Sequence, residues 1–302
     1  MAVNSENVTS KGELFEPEIV KDLFTKVNGK SSLAKLADAK PVPFTGNEIF
    51  TFNMDDEVQI VGENEGKAAG RITVAPVKVV PVKIEYGARV SDEFMYASAE
   101  KKLEILEAFN DGYAKKVARG IDIMAFHRVN PRTGNTTDLI KAANAFDTAV
   151  PAENVVTFTT GDSMEDKVEE AIEKIVDYAD VNGIAFSKTG ASTLAKETDK
   201  HGNKKYPTLV WGGNPGTING LNADVNSTVN FNGSKDMAIT GDFNYFRWGY
   251  AKEIPFKVIE YGDPDGTGKD LQHYNQVYLR AETYVAFAIM DPKAFALVKA
   301  AE

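Results

Sequence analysis

Residues 98–127 read SAEKKLEILEAFNDGYAKKVARGIDIMAFH. Within them Leu103, Leu106, Phe109, Tyr113, Val117, Ile121 and Met124 recur at steps of three and four, which puts them on one stripe of an α-helix. Continuous from Ser98 to His127, that helix is about 45 Å long at 1.5 Å per residue. Gly112 and Gly120 weaken it by about 1 kcal/mol each relative to alanine. A helix of this length is a spine, and the rest of the chain must be laid against it.

On its N-terminal side, Ile49, Phe50 and Phe52 predict a short strand. A polar stretch follows, from Asp55-Asp56-Glu57 to the glycine-rich run Gly62–Gly70. Ile72, Val74, Val77, Val79, Val80, Val82 and Ile84 then restore strand character, interrupted by Pro76 and Pro81, and proline sits in strands only at edges, ends or bulges. Two readings fit: an ordinary hairpin in the body's sheet, or an out-and-back β arm with an acidic tip. An arm could not bury its own surface and would lie on another part of the protein or on another subunit. Further upstream, Pro17 opens a short amphipathic helix carrying Ile19, Val20, Leu23, Phe24 and Val27, closed by Asn28-Gly29.

Beyond the spine, Asp162 with Glu165 three residues on predicts a capping box. The helix it opens buries Val168, Ala171, Ile172, Ile175 and Tyr178 and ends at Asn182-Gly183. A strand at 184–186, a helical piece at 191–197 and a Gly- and Asn-rich stretch around Trp211 follow. The last third is β-rich: an aromatic strand over 243–250, another over 254–261, and a long alternation from Val277 to Ile289. Asp291-Pro292-Lys293-Ala294-Phe295 caps that strand.

Composition excludes much. The 302 residues carry 34 Lys+Arg against 44 Asp+Glu, a net charge of −10, and no cysteine. Disulfides, thiol catalysis and cysteine-ligated metals are therefore excluded, and the acidic balance argues against a reader of nucleic acid. No signal peptide and no apolar run long enough to span a bilayer is present. His127, His201 and His273 have no partner at metal-ligand spacing. The turn Gly262–Gly268 fails as a phosphate loop in spacing and last residue, and as a calcium loop because Gly266 comes early and no Glu closes it. No catalytic residue, cofactor or metal site is expected.

The order of elements is more informative than any motif. Gly12-Glu13-Leu14-Phe15-Glu16-Pro17-Glu18-Ile19-Val20, then Ile72-Thr73-Val74-Ala75-Pro76-Val77-Lys78, then Gly241-Asp242-Phe243, Arg280-Ala281-Glu282 and Asp291-Pro292-Lys293-Ala294-Phe295 together resemble the major capsid proteins of tailed bacteriophages, the Hong Kong 97 fold, over about residues 12 to 300. The resemblance implies an α+β subunit with an N-terminal arm (1–45), an extended β-hairpin E-loop (46–88), a spine helix opening a peripheral domain (89–130), an axial domain (131–240) and C-terminal strands completing both (241–302). It implies a non-enzymatic shell protein that assembles with itself as pentamers and hexamers and encloses double-stranded DNA. Its place would be the virion, after the host cytoplasm. A separate scaffolding protein, a portal and head-decoration proteins are the further expected partners. Contacts between subunits fall by this reading on Ile19, Leu23 and Phe24 of the arm and on Asp55, Asp56, Glu63, Lys67 and Arg71 of the E-loop.

Two family features depart here. Met1 stands just before the core, so no cleavable scaffolding segment is expected. Lys67 matches the lysine that some relatives join to a neighbour's asparagine, but neither the asparagine nor the assisting glutamate is matched. The rival readings are an encapsulin-like compartment of the same fold and an enzyme with an unmarked carboxylate site.

Overall fold

The computed structural model describes residues 31–54, 60, 61, 63, 65, 66, 72–96 and 99–301. In chain order these form α1 (Ser32–Leu36), β1 (Asn47–Met54), β2 (Ile72–Val79), β3 (Val82–Ser91), α2 (Glu93–Tyr96), α3 (Ala99–His127), α4 (Phe146–Ala149), β4 (Val155–Phe158), α5 (Met164–Glu173), β5 (Gly183–Phe186), α6 (Lys188–Leu194), β6 (Thr217–Ile218), β7 (Leu221–Val225), β8 (Asp236–Gly241), β9 (Phe246–Ile259), β10 (Gln276–Ile289) and β11 (Phe295–Ala300). The predicted helix at 17–27 lies outside the described residues.

The spine is α3. Leu106, Tyr113, Val117, Ile121 and Met124 of its stripe are buried and Phe109 is partly so. The far end is enclosed on every side, since Ala118, Ala125 and Phe126 are buried too. The stripe rests on the three-stranded antiparallel sheet β3-β10-β9, and the Tyr113 hydroxyl donates to Thr283 Oγ1 of β10 at 2.8 Å. No helix among the described residues is long and apolar enough to cross a membrane.

A six-stranded sheet of order β4-β11-β8-β5-β7-β6 forms the second module. Period-two alternation sends its side chains to opposite faces. Ile184, Phe186, Ala238 and Val298 pack with Met164, Ala171 and Ile175 from the α5 region and with Leu194 of α6. Ala185, Ile239 and Leu297 face the other way, toward Phe126, Phe146, Phe243 and Phe295; Phe295 meets Phe146 and Phe243 edge to face, Phe146 at 4.9 Å and 88°. With both faces covered, β5 and β8 are buried at every position.

Several boundaries differ from the sequence reading, each for a local reason. The cap of α5 is Ser163, which accepts from Asp166 N at 3.2 Å. Asp162 instead accepts from Thr159 N and Oγ1 at 2.8 and 2.7 Å, and the Glu165 carboxylate is drawn to Lys205 and Tyr206. The helix stops at Glu173, with turns running on to Gly183, which opens β5. Tyr178 is 45% exposed rather than buried. Residues 243–245 are a 3-10 turn capped by Asp242, and the two predicted strands after them are the single strand β9. Pro255, with no amide to donate, falls where the pairing of β9 with β10 slips register, between the partners of Arg280 and Glu282. Asp291 does end β10, accepting from Lys293 N at 3.0 Å, but Phe295 then begins β11, an interior strand between β4 and β8.

The chain before β1 docks along the edge of β9. Lys40 N donates to Trp248 O at 2.8 Å and Trp248 Nε1 donates to Ala37 O at 2.9 Å. A Cβ on Gly249 would stand 1.8 Å from Lys40 O, so this close approach requires glycine.

Candidate functional site

Among the described residues, strands β1 and β2 pair only with each other, in register from Asn47↔Val79 to Met54↔Ile72. Eight residues at about 3.4 Å each make a ribbon roughly 27 Å long. Val79 at its base is buried, with Ile49 and Val77 partly buried, against Ala286 and Ala288 of β10. Pro81 lies between β2 and β3, where the chain leaves the ribbon and enters the body sheet. Glu63 is an exposed turn residue. Ile19, Leu23, Phe24, Asp55, Asp56, Lys67 and Arg71 lie outside the described residues.

Two buried polar clusters hold the body together. Asp122, fully buried on α3, accepts from Ser32 N at 2.9 Å, Leu33 N at 3.3 Å, Thr228 Oγ1 at 2.9 Å, Asn226 Nδ2 at 3.4 Å and the Ser31 hydroxyl. One carboxylate thereby caps α1 and fixes the loop after β7 to the spine. Burial raises its pKa to about 6, against the pull of its donors.

The second cluster closes the C-terminus of α3, five residues beyond Asp122. His127 Nδ1 lies 2.7 Å from Asp147 Oδ2 and 3.5 Å from Asp236 Oδ2, while Nε2 lies 2.8 Å from the Thr228 carbonyl. Lys299 Nζ reaches Asp147 at 2.8 Å and Asp236 at 3.2 Å. Both ring nitrogens face acceptors, an arrangement that favours the doubly protonated imidazolium. His127, Asp147 and Asp236 are also close enough to one another to hold a metal ion, which would have to displace the ring proton and compete with Lys299 for both carboxylates. Two cations and two carboxylates instead form a balanced buried network joining α3, α4, β8 and β11. Burial opposes the charge on His127, yet Asp147 holds its pKa above the ordinary value. Burial is likewise outweighed at Asp147, which His127 and Lys299 bring down to about 2. Burial and the neighbouring Asp147 raise Asp236 to about 6.

At the far end of β3, Arg89 gathers the 262–270 loop. Its guanidinium donates to Asp263 at 2.7 Å, to both oxygens of Asp265, to Thr267 Oγ1 at 2.7 Å and to Lys269 O at 2.9 Å. The carboxylates that resembled the start of a calcium loop are therefore spent on an arginine, and the turn is a clasped structural loop.

Sequence reading found the two strands but left them open between a hairpin in the body's sheet and a free arm, and it missed all three clusters. The partners of Asp122, His127 and Arg89 named above lie 20 to 180 residues away in sequence, so no local spacing signals them. What they offer is cohesion of the subunit; among the large apolar side chains left exposed, with Ile60, Tyr96 and Leu139, is Trp211, which is 99% exposed with φ 67° and ψ 23°. The left-handed region costs a residue with a Cβ about 1–2 kcal/mol.

Comparison with known proteins defines the class first: the fold is that of a structural shell subunit. The phage capsid family profile matches residues 12–300, and the chain belongs to that family as a major capsid protein. A solved structure from Mycobacterium phage Ogopogo is 30% identical and superposes with a TM-score of 0.76 over 90% of this chain and 92% of that one. One from Gordonia phage Cozz is 24% identical, with a TM-score of 0.74 over 90% and 87%. The capsid of a native GTA particle, 14% identical with a TM-score of 0.62 over 90% of each chain, shares the fold. No curated protein sequence matches. The protein is a virion capsid component whose copies assemble into a shell, its role is structural, and the encapsulin reading is not favoured.

Proposed function

We propose that the chain assembles as pentamers and hexamers into the icosahedral head of a tailed phage, enclosing double-stranded DNA. The observation that carries this is the β1–β2 ribbon, a two-stranded sheet resting on the body only through its base among the described residues. An isolated hairpin of this kind is marginal in water, and a neighbouring subunit would supply the missing surface. In this reading residues 46–88 contain the E-loop, with Asp55, Asp56, Glu63, Lys67 and Arg71 near a neighbour. Residues 1–45 are an arm whose Ile19, Leu23 and Phe24 pack on another copy. The spine belongs to a peripheral domain opening at 89–130, residues 131–240 to an axial domain, and 241–302 complete both. The net charge of −10 suits a container for DNA, since an acidic wall repels phosphate. A separate scaffolding protein guides closure, and portal and decoration proteins complete the head after assembly in the host cytoplasm.

Replacing residues 55–71 by an Asn-Gly turn tests the ribbon's role. The shortened subunit should keep its circular-dichroism melt and lose shell formation under conditions where the full chain assembles. Normal shells from the shortened chain would remove the ribbon from the assembly mechanism.

A further inference from the structure

The α5 side of the six-stranded sheet is not fully covered. Beside α5 a groove of about 500 Å³ runs toward the sheet edge, with Val168, Ile172 and Val176 on one wall, Ile218 and Leu221 on the other and Phe186 among its lining. Val176 is 53% exposed. Glu169 and Asp180 also line it, and neither forms an ion pair among the described residues. Over 165–180 the chain carries seven acidic residues against Lys167 and Lys174.

The opposite character lies beside it: Lys205 pairs with Glu165, and Tyr206 donates to the same carboxylate, both Glu165 and Tyr206 being part of the groove's lining. The hairpin turn closed by the Thr198↔Lys204 bridge leaves Lys196, Lys200 and Lys204 against Glu197 and Asp199, Lys205 being held by Glu165. It leads directly into the loop of Trp211. That loop is held by buried Leu209 and by Gly213, where a Cβ would stand 2.2 Å from Thr208 O. A rigidly based loop thus holds a large apolar ring in solvent through a left-handed backbone, an expense that nothing within the subunit recovers. A Trp side chain offers about 150–250 Å² of contact, and tryptophan is among the side chains most enriched at the energetic centres of interfaces.

We infer that the Trp211 loop of one subunit seats in the α5 groove of a second copy, with the basic 196–205 turn set against the acidic lip of that groove. The contact pairs two different patches of the same chain, which is the heterologous kind that builds closed rings. Apolar ring meets apolar groove, and the net charges of the two patches are of opposite sign. The inference rests on the chain being a shell subunit, and adds a contact that the ribbon and the arm do not supply.

The absence of cysteine permits a direct test. Two single-cysteine proteins, Trp211→Cys and Val176→Cys, are mixed, assembled and treated with a short bis-maleimide. A covalent dimer should form in the mixture and be at least about tenfold weaker in either protein alone. A third protein, Tyr274→Cys, serves as an exposed control and should give no dimer with Val176→Cys. In parallel, Trp211→Ala should raise the protein concentration needed for assembly about tenfold or more, as loss of an interface anchor does, with the melt of the free subunit unchanged. Shells that form without the 211–176 dimer, or a dimer no stronger than the Tyr274 control, would overturn the contact while leaving the capsid reading intact. Failure of the unsubstituted chain to form shells under any condition would overturn both.

Discussion

Asp122 and His127 lie five positions apart on α3, and neither position announces its role. In sequence Asp122 is a polar break in an apolar stretch, and His127 is a cation at a helix end. In the fold Asp122 receives five donors, from Ser31, Ser32, Leu33, Asn226 and Thr228. Removing it strands several buried donors at about 1–3 kcal/mol each, so Asp122→Ala should lower subunit stability by about 3 kcal/mol or more in urea unfolding. A loss under about 1 kcal/mol would show that the cluster contributes little. His127 gives a pH signature. Its pKa is raised in the folded state, so its contribution is full below the unfolded value near 6.5 and is lost as pH rises through the folded value. Asp122 and Asp236, raised to about 6, lose theirs between about pH 4 and 6. The melting temperature should therefore fall further as pH rises above 6.5, and His127→Gln should flatten that part of the profile. An unchanged slope in the variant would assign the fall to another group.

At the scale of elements, legibility followed the reach of the signal. The spine was read nearly to the residue because its periodicity is local and sustained over eight turns. The ribbon and β10 were read from alternation. β11 was not, since Phe295-Ala296-Leu297-Val298 is buried on both faces and a continuous apolar run carries no period. The cap of α5 moved from Asp162 to Ser163 because Thr159 and Lys205, outside any capping window, claimed the neighbouring carboxylates. Two elements depend on single residues. Gly249→Ala should displace the 37–42 segment from β9, read as faster hydrogen exchange at the Lys40 amide; protection equal to the parent would mean the backbone yields elsewhere. Arg89→Ala should expose the 262–270 loop to proteolysis with little change in the global melt, because the loop's carboxylates lose their shared partner. A loop as resistant as the parent's would mean that its own turns hold it.

For the whole molecule, the sequence reading reached family and fold through element order, which survives where single motifs are weak. The proposed assembly surfaces were unevenly legible: the ribbon's strands by their pattern, the groove only once α5 and β6–β7 were brought together. The three cohesive clusters and the two open surfaces describe a subunit stiff in its body and incomplete at its edges, as a shell component must be. The most direct measurement is electron microscopy of the purified chain, alone and co-expressed with its neighbouring structural genes. The account predicts closed particles tens of nanometres wide, built of five- and six-membered clusters with density bridging neighbours at the ribbon. A chain that stays a monomer or small oligomer under every condition would contradict it.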